Sequence, residues 1–203
     1  MSVASIVLAA GRSARMGAPK ALLDFRGRPF IVRILEALEA LDLKTRVVVL
    51  GEDGSRIRPA IAGHDCLIVE NPDVDSGPIG SLRLALATLS QVRPPAVLVW
   101  PVDLPHVRVA TVDRLVESYR RSPKAIVLPT FAERRGHPII WDAKLFEEIE
   151  SSDAATKEGV RAVLHRHESE VQAVAVDDPA VIEAVNTPED YERLVREWNR
   201  DIY

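Results

Sequence analysis

The sequence predicts an α/β fold: a mostly parallel sheet with helices on both faces, three layers in all. Strand-length apolar runs alternate with helical stripes through the first two thirds of the chain, the pattern of βαβ units. The runs are continuous and rich in Val, Ile and Leu, as strands buried on both faces require. With 203 residues, 47% of them hydrophobic, the chain can bury a full core without a disulfide or structural metal.

Val3, Ile6, Val7 and Leu8 mark the first strand, which Ala9, Ala10 and Gly11 end without bulk. Ile31, Ile34, Leu35 and Leu38 repeat at helical spacing, and a strand follows over Arg46–Leu50. A helix over Arg56–Ala62 leads to a strand over Cys66–Val69. Leu82, Ala85, Leu86 and Leu89 mark the next helix, and Ala96–Trp100 a very apolar strand. Val112, Leu115, Val116 and Tyr119 predict a helix and Ala125–Leu128 a strand.

From Pro129 the rhythm loosens. Ile139–Trp141 reads as a strand, a short helix follows near Leu145, Val160, Val163 and Leu164 suggest another helix, and Glu170–Val176 a late strand. The last helix has the clearest start, with Thr187 as N-cap and Pro188 at the first helical position; Tyr191, Leu194, Val195 and Trp198 then repeat on one face. No internal repeat, low-complexity tract or linker divides the chain, so residues 1–203 are expected to form one domain.

A net charge of -4 argues against nonspecific nucleic-acid binding. Cys66 is the only cysteine, which rules out an internal disulfide and a thiolate metal cluster. Its apolar neighbours Leu67, Ile68 and Val69 read it as a small buried hydrophobe in a strand interior. No segment reaches the about 20 apolar residues of a membrane span, and no secretory signal is legible. The expected location is the cytoplasm, away from membranes.

Ile6–Lys20 reads I-V-L-A-A-G-R-S-A-R-M-G-A-P-K, an apolar strand running into a small-residue loop that carries Arg12, Arg15 and Lys20. A base or ribose can lie against such a backbone, and a guanidinium fork plus an ammonium suits a polyphosphate. Two other phosphate loops fail on spacing. The P-loop needs four residues between its glycines and Lys directly after the second, but five separate Gly11 from Gly17, and Ala18 and Pro19 precede Lys20. The dinucleotide fingerprint needs glycine where Ser13 stands. Between Gly11 and Arg33 the cations Arg12, Arg15, Lys20, Arg26, Arg28 and Arg33 face only Asp24, predicting a local funnel for anions.

The stretch Leu8–Leu23 resembles the signature L-A-A-G-x-S-x-R-M-G-x-x-K-x-L-L of the nucleotidyltransferases that finish molybdenum cofactors. The resemblance implies a Rossmann-like nucleotidyltransferase fold. It also implies that Leu8, Ala9, Ala10, Gly11 and Arg12 line the nucleotide while Arg15 and Lys20 contact phosphates.

Three further segments are expected at the carboxyl ends of the strands, where ligands of open α/β sheets bind. Trp100-Pro-Val-Asp-Leu-Pro105 delivers Asp103, either a turn residue or a ligand for Mg2+, a hard ion that takes oxygen ligands alongside substrate phosphates. The resemblance favours the metal. Asp75–Leu82 is a loop that opens the Leu82 helix; its backbone amides, with Gly77 and Gly80 for close approach, either read a base or anion or are simply capped by Ser81, and Gly77 and Ser81 match a G-x-x-x-S similar to the cytidylyl-transferring branch. Asn186 precedes the last helix as a turn residue or, by the similarity of N-T-P-E-D to the family's closing motif, as the second metal ligand.

Gly136-His137-Pro138 matches a family G-H-P expected to face the acceptor, so His137 is either an acceptor-side residue or part of a hairpin turn. His165 and His167 lie two apart on a helix and are poor joint metal ligands; Glu147, Glu148 and Glu150 read as a solvated helix face. The chain departs from the cytidylyl-transferring pattern G-D-x-G-x-R at Ala155–Arg161, where Gly159 and Arg161 match but the Asp does not. Arg161 is the other acceptor-side candidate.

The expected activity is transfer of a nucleotidyl group from an NTP to a phosphorylated acceptor, molybdopterin by resemblance, with Mg2+ on Asp103 and Asn186 and release of pyrophosphate. The catalytic set is Arg15, Lys20 and Asp103. The Ala9-Ala10 pair resembles CTP users, whereas GTP users of the family carry glycine at Ala10; Pro78 is instead similar to the guanylyl branch. CTP is therefore expected over GTP. A sugar phosphate or other phosphorylated acceptor stays open, as does a nucleotide-binding regulator, and the resemblance leaves room for a molybdoenzyme or chaperone partner.

Overall fold

The computed structural model describes residues 2–151 and 159–200. In chain order the elements are β1 (Ala4–Ala9), α1 (Phe30–Ala40), β2 (Arg46–Leu50), α2 (Gly54–Ile61), β3 (Leu67–Glu70), α3 (Gly77–Thr88) and β4 (Ala96–Pro101). They continue with α4 (Val109–Arg121), β5 (Ile126–Phe131), β6 (Arg134–Arg135), β7 (Ile139–Asp142), α5 (Phe146–Ser151), α6 (Val160–Arg166), β8 (Val171–Ala175) and α7 (Pro188–Arg200).

Among the described residues eight strands form one sheet, in the order β3-β2-β1-β4-β7-β5, with β6 and β8 also on β5. β1 pairs in parallel with β2 and β4, β2 with β3, and β5 with β8. β7 runs antiparallel between β4 and β5. Thr130 pairs with Arg135 of β6 and with Ala175 of β8, so those two strands lie on opposite edges of β5.

Successive strand residues feed two cores. Val7, Val48, Leu98, Trp100 and Ile140 pack with α1, α2, α4 and α7, whereas Ile6, Val47, Val49, Val97, Val99 and Trp141 pack with α3, α5 and α6. That alternation of apolar residues to both faces makes β1, β2 and β4 read as continuous runs. α1 shows the helical counterpart. Ile31, Ile34, Leu35 and Leu38 are all fully buried, each such side chain contributing about 1.5–3 kcal/mol.

Several boundaries differ from the sequence reading. α3 begins at Gly77, so Ser81 lies inside the helix and not at its cap. Pro78 is tolerated in the first turn, where its missing N–H has no partner to lose. Cys66 precedes β3, whose outer edge is unpaired and whose Leu67 is 48% exposed. The thiol is half-buried against the first core, and burial pushes its pKa up. Glu148 is not merely solvated: it bonds Arg166 at 2.6 Å and His167 at 2.6 Å, joining α5 to the end of α6.

Thr187 caps α7 as its sequence suggests. Its Oγ1 accepts from Asp190 N at 3.2 Å and its own N–H donates to Asp190 Oδ2 at 3.0 Å, the reciprocal satisfaction of a capping box. The Trp198 side chain and Ala155–Glu158 of the altered segment lie outside what is described.

Candidate active site

A cavity of about 1110 Å³ opens where β1, β2 and β4 end. Leu8–Ser13 follow from β1, Gly51–Asp53 from β2 and Pro101–Leu104 from β4, while the first turn of α3 closes one side. The parallel pairing of β1 with both neighbours ends these strands together, bringing the three loops to one edge. The volume exceeds the roughly 300–1,000 Å³ of a typical ligand pocket, which suits two substrates.

The small residues of the first loop permit close approach. A Cβ on Gly11 would meet nothing within 4 Å, whereas one on Gly51 would collide with the Ala10 carbonyl oxygen. Gly51 therefore lets the β2 loop press against the β1 loop from behind, and Gly11 leaves the cavity side open. Gly51 escaped the sequence reading, although a glycine directly after a buried strand, as at Gly11, was the available signal.

Lys20, Asp103 and Asn186 converge. Lys20 Nζ donates to Asn186 Oδ1 at 2.8 Å and lies 3.5 Å from Asp103 Oδ2. The Val185 N–H donates to the Asp103 carbonyl at 2.9 Å, and Asp190 Oδ2 accepts from Asn186 N at 3.0 Å. The loop before α7 is thus fastened both to the β4 loop and to its own helix.

The cations are distributed differently from the expected funnel. Arg12 and Lys20 line the cavity, but Arg15 is exposed on the turn and outside its wall. Arg12 donates to Asp75 at 2.5 and 3.2 Å and to Glu52 at 2.9 Å. These contacts raise the Arg12 pKa further and hold Asp75 below the usual carboxylate range. Arg28 pairs with Glu36, and Arg26 and Arg33 lie by the Phe25 ring. Of these cations, Arg12 and Lys20 meet acids remote in sequence, Glu52, Asp75 and Asp103.

Gly77 takes a φ of +66°, which a side chain would strain, and Gly80 allows α3 to pass Ser76. Ser81 is buried at the cavity wall and its hydroxyl accepts from Asn71 Nδ2 at 3.0 Å. Asn71, unrecognised in the sequence, thereby fixes α3 to the end of β3.

The G-H-P segment also reaches the cavity. Gly136 packs so tightly on Val181 that a Cβ would collide with its carbonyl, and His137 N donates to that same oxygen at 2.9 Å. His137 lines the cavity and is exposed to it. Loss of hydration lowers its pKa, with nearby Asp103 opposing the shift and Arg161 reinforcing it. Arg161, Arg135 and His165 lie on the same rim. Arg135 carried no motif that singled it out, and His165 was weighed only as half of the His165–His167 pair.

Asp103 and Asn186 offer one carboxylate and one amide oxygen, both hard donors, with the amide turned by an Nδ2 bond to Ala184 O at 3.3 Å. Among the described residues no group of three or more His, Cys, Asp or Glu could hold a metal alone. The pair fits an ion such as Mg2+ that keeps waters and substrate phosphates as its other ligands. No helix among the described residues is long and apolar enough to cross a membrane.

Residues 5–171 match the model of the MobA-like NTP transferase domain. The chain is 32% identical over 201 residues to a protein of Paenarthrobacter nicotinovorans named nicotine blue oxidoreductase, covering 95% of this chain and 96% of the relative. It is 30% identical over 200 residues to a molybdenum cofactor guanylyltransferase of Xanthomonas euvesicatoria, with 95% and 94% covered. The manganese complex of Rv0371c from Mycobacterium tuberculosis is 30% identical, covers 97% of this chain and 99% of its own, and superimposes with a TM-score of 0.78. An α/β nucleotidyltransferase fold, a strand-end cavity and a matched family model agree: the chain is a nucleotidyltransferase and belongs to the MobA-like NTP transferase family.

Proposed function

We propose that residues 1–203 act as one domain that transfers a nucleotidyl group from CTP to molybdopterin with a divalent ion, Mg2+, held by Asp103 and Asn186. The observation that carries this reading is the meeting of Lys20, Asp103 and Asn186 beside the open side of Gly11. A phosphate oxygen of the acceptor forms a bond to the α-phosphorus while the α–β anhydride bond breaks and pyrophosphate leaves. An acceptor phosphate is already ionised near neutral pH, so no side-chain base is required, and positioning with electrostatic stabilisation supplies the rate.

Bound at Asp103 and Asn186, the ion supplies charge neutralisation to the reacting phosphates. Lys20 and Arg12 hold the triphosphate from the cavity wall, and Arg15, on the exposed turn outside it, is assigned to the phosphates by the family signature alone. The α3 first turn, with Gly77 and the buried Ser81, borders the base; His137 and Arg161 border the acceptor. The cytoplasm is the compartment that supplies both substrates.

CTP is proposed over GTP because Ala10 presents a methyl group in the wall where a glycine would leave more room. The guanylyltransferase name of the Xanthomonas relative points to GTP, so the base is tested directly. A pyrophosphate-release assay crosses the four NTPs with molybdopterin and a panel of sugar phosphates. Release with CTP and molybdopterin is expected. Release with GTP alone overturns the base assignment, and release only with a sugar phosphate moves the acceptor. NTP binding without any turnover supports a regulator. Redox turnover of nicotine blue in place of pyrophosphate release supports the activity that the Paenarthrobacter relative's name carries.

A further inference from the structure

Lys20, assigned above to the triphosphate, has its charge engaged elsewhere. Its Nζ is 2.8 Å from Asn186 Oδ1 and 3.5 Å from Asp103 Oδ2, and its side chain is only 14% exposed. Those are the two oxygens suited to a divalent ion. The amide oxygen is kept in place from behind, by Asn186 Nδ2 on Ala184 O and Asn186 N on Asp190 Oδ2. The ammonium therefore stands where a metal would bridge the pair.

A dication and an ammonium a few ångströms apart repel strongly in a partly buried site, so both cannot hold these oxygens. Arg12, the other cavity cation from the first loop, is committed to Glu52 and Asp75 and does not replace Lys20.

We propose that Lys20 is a built-in placeholder for the metal: its ammonium closes the Asp103–Asn186 site in the nucleotide-free protein and vacates it when a polyphosphate draws it away. Nucleotide and metal then enter as a pair, and each strengthens the other by the same factor. The inference rests on the metal site of the proposed function. It implies that a residue needed for the nucleotide works against the metal when nucleotide is absent.

The deciding measurement is Mn2+ binding to the full chain without nucleotide, from the electron paramagnetic resonance signal of free Mn2+. Lys20→Met is expected to bind Mn2+ about tenfold more tightly than the wild type, because one repelling charge is removed. Lys20→Arg keeps the cation and is expected to remain weak, and Lys20→Gln gives the uncharged comparison if the Met variant does not fold. Unchanged or weaker binding in the uncharged variants overturns the placeholder. Asp103→Asn separates the two ideas. If it abolishes Mn2+ binding while Lys20→Met fails to tighten it, only the placeholder falls; if it leaves binding intact, the metal site is misplaced and both fall.

Discussion

The Val185 N–H donates to the Asp103 carbonyl oxygen at 2.9 Å, joining the loop after β4 to the loop before α7. Through this one backbone bond the carboxylate and the Asn186 amide come side by side from distant parts of the chain. Val185→Pro removes the donor and disturbs a buried side chain. It is expected to cost about 1–3 kcal/mol of stability and to weaken Mn2+ binding several-fold. Wild-type metal affinity in a folded Val185→Pro protein counts against this bond as the organiser.

Lys20→Ala and Asp103→Ala are each expected to lower pyrophosphate release by about two to three orders of magnitude, as loss of one preorganised electrostatic contact does. Steady-state release with saturating NTP and acceptor is the measurement. Full turnover in either variant removes that residue from the mechanism.

Asp75→Ala has the opposite sign. The Asp75 carboxylate competes with incoming phosphates for Arg12. Because the pair is solvent-exposed, its removal is expected to lower KM for the NTP by only about two- to fivefold, with kcat unchanged. A raised KM shows instead that Asp75 orders Arg12 for binding.

Gly51→Ala tests the close approach of the two strand-end loops. The added methyl collides with the Ala10 carbonyl, and the expected cost is about 1–3 kcal/mol, together with weaker NTP binding. Thermal melts with and without CTP separate the two effects. Gly11→Ala meets open space, so its effect is expected on nucleotide affinity and not on the melting temperature of the empty protein.

Buried His106 predicts acid sensitivity. Burial is the main cause of its pKa falling from 6.5 to about 4, with Asp178 opposing the shift and Arg33 adding to it. A base with a depressed native pKa binds fewer protons folded than unfolded, so its contribution is intact above pH 6.5 and is lost as pH falls toward 4. Denaturant midpoints are expected to decline across that window, by up to about 3 kcal/mol. A folded His106→Asn variant is expected to show a shallower decline over the same pH range.

The central parallel strands were legible because burial on both faces leaves a continuous apolar run, as in Arg46–Leu50, whose bounds the sequence fixes to the residue. β6 was not, since Arg134 and Arg135 are two exposed cations with no apolar period. The antiparallel placement of β7 between β4 and β5 is a pairing choice that its own residues do not encode. Gly77 and Pro78 read as loop, although Pro is at home in the first turn of a helix. Asp103 and Asn186 were singled out through the family resemblance, since beside a strand and a helix each also reads as a turn residue. The partners of Arg12 could not, since Glu52 and Asp75 become its neighbours only when β2 and the segment before α3 reach the same edge.

The engagement of Arg12 with two carboxylates offsets part of its attraction for anions at the cavity mouth. On the proposed reading, a ligand long enough to reach both basic groups, Arg12 and Lys20, regains more than a short one, so phosphate chain length would add a modest preference before any base is read.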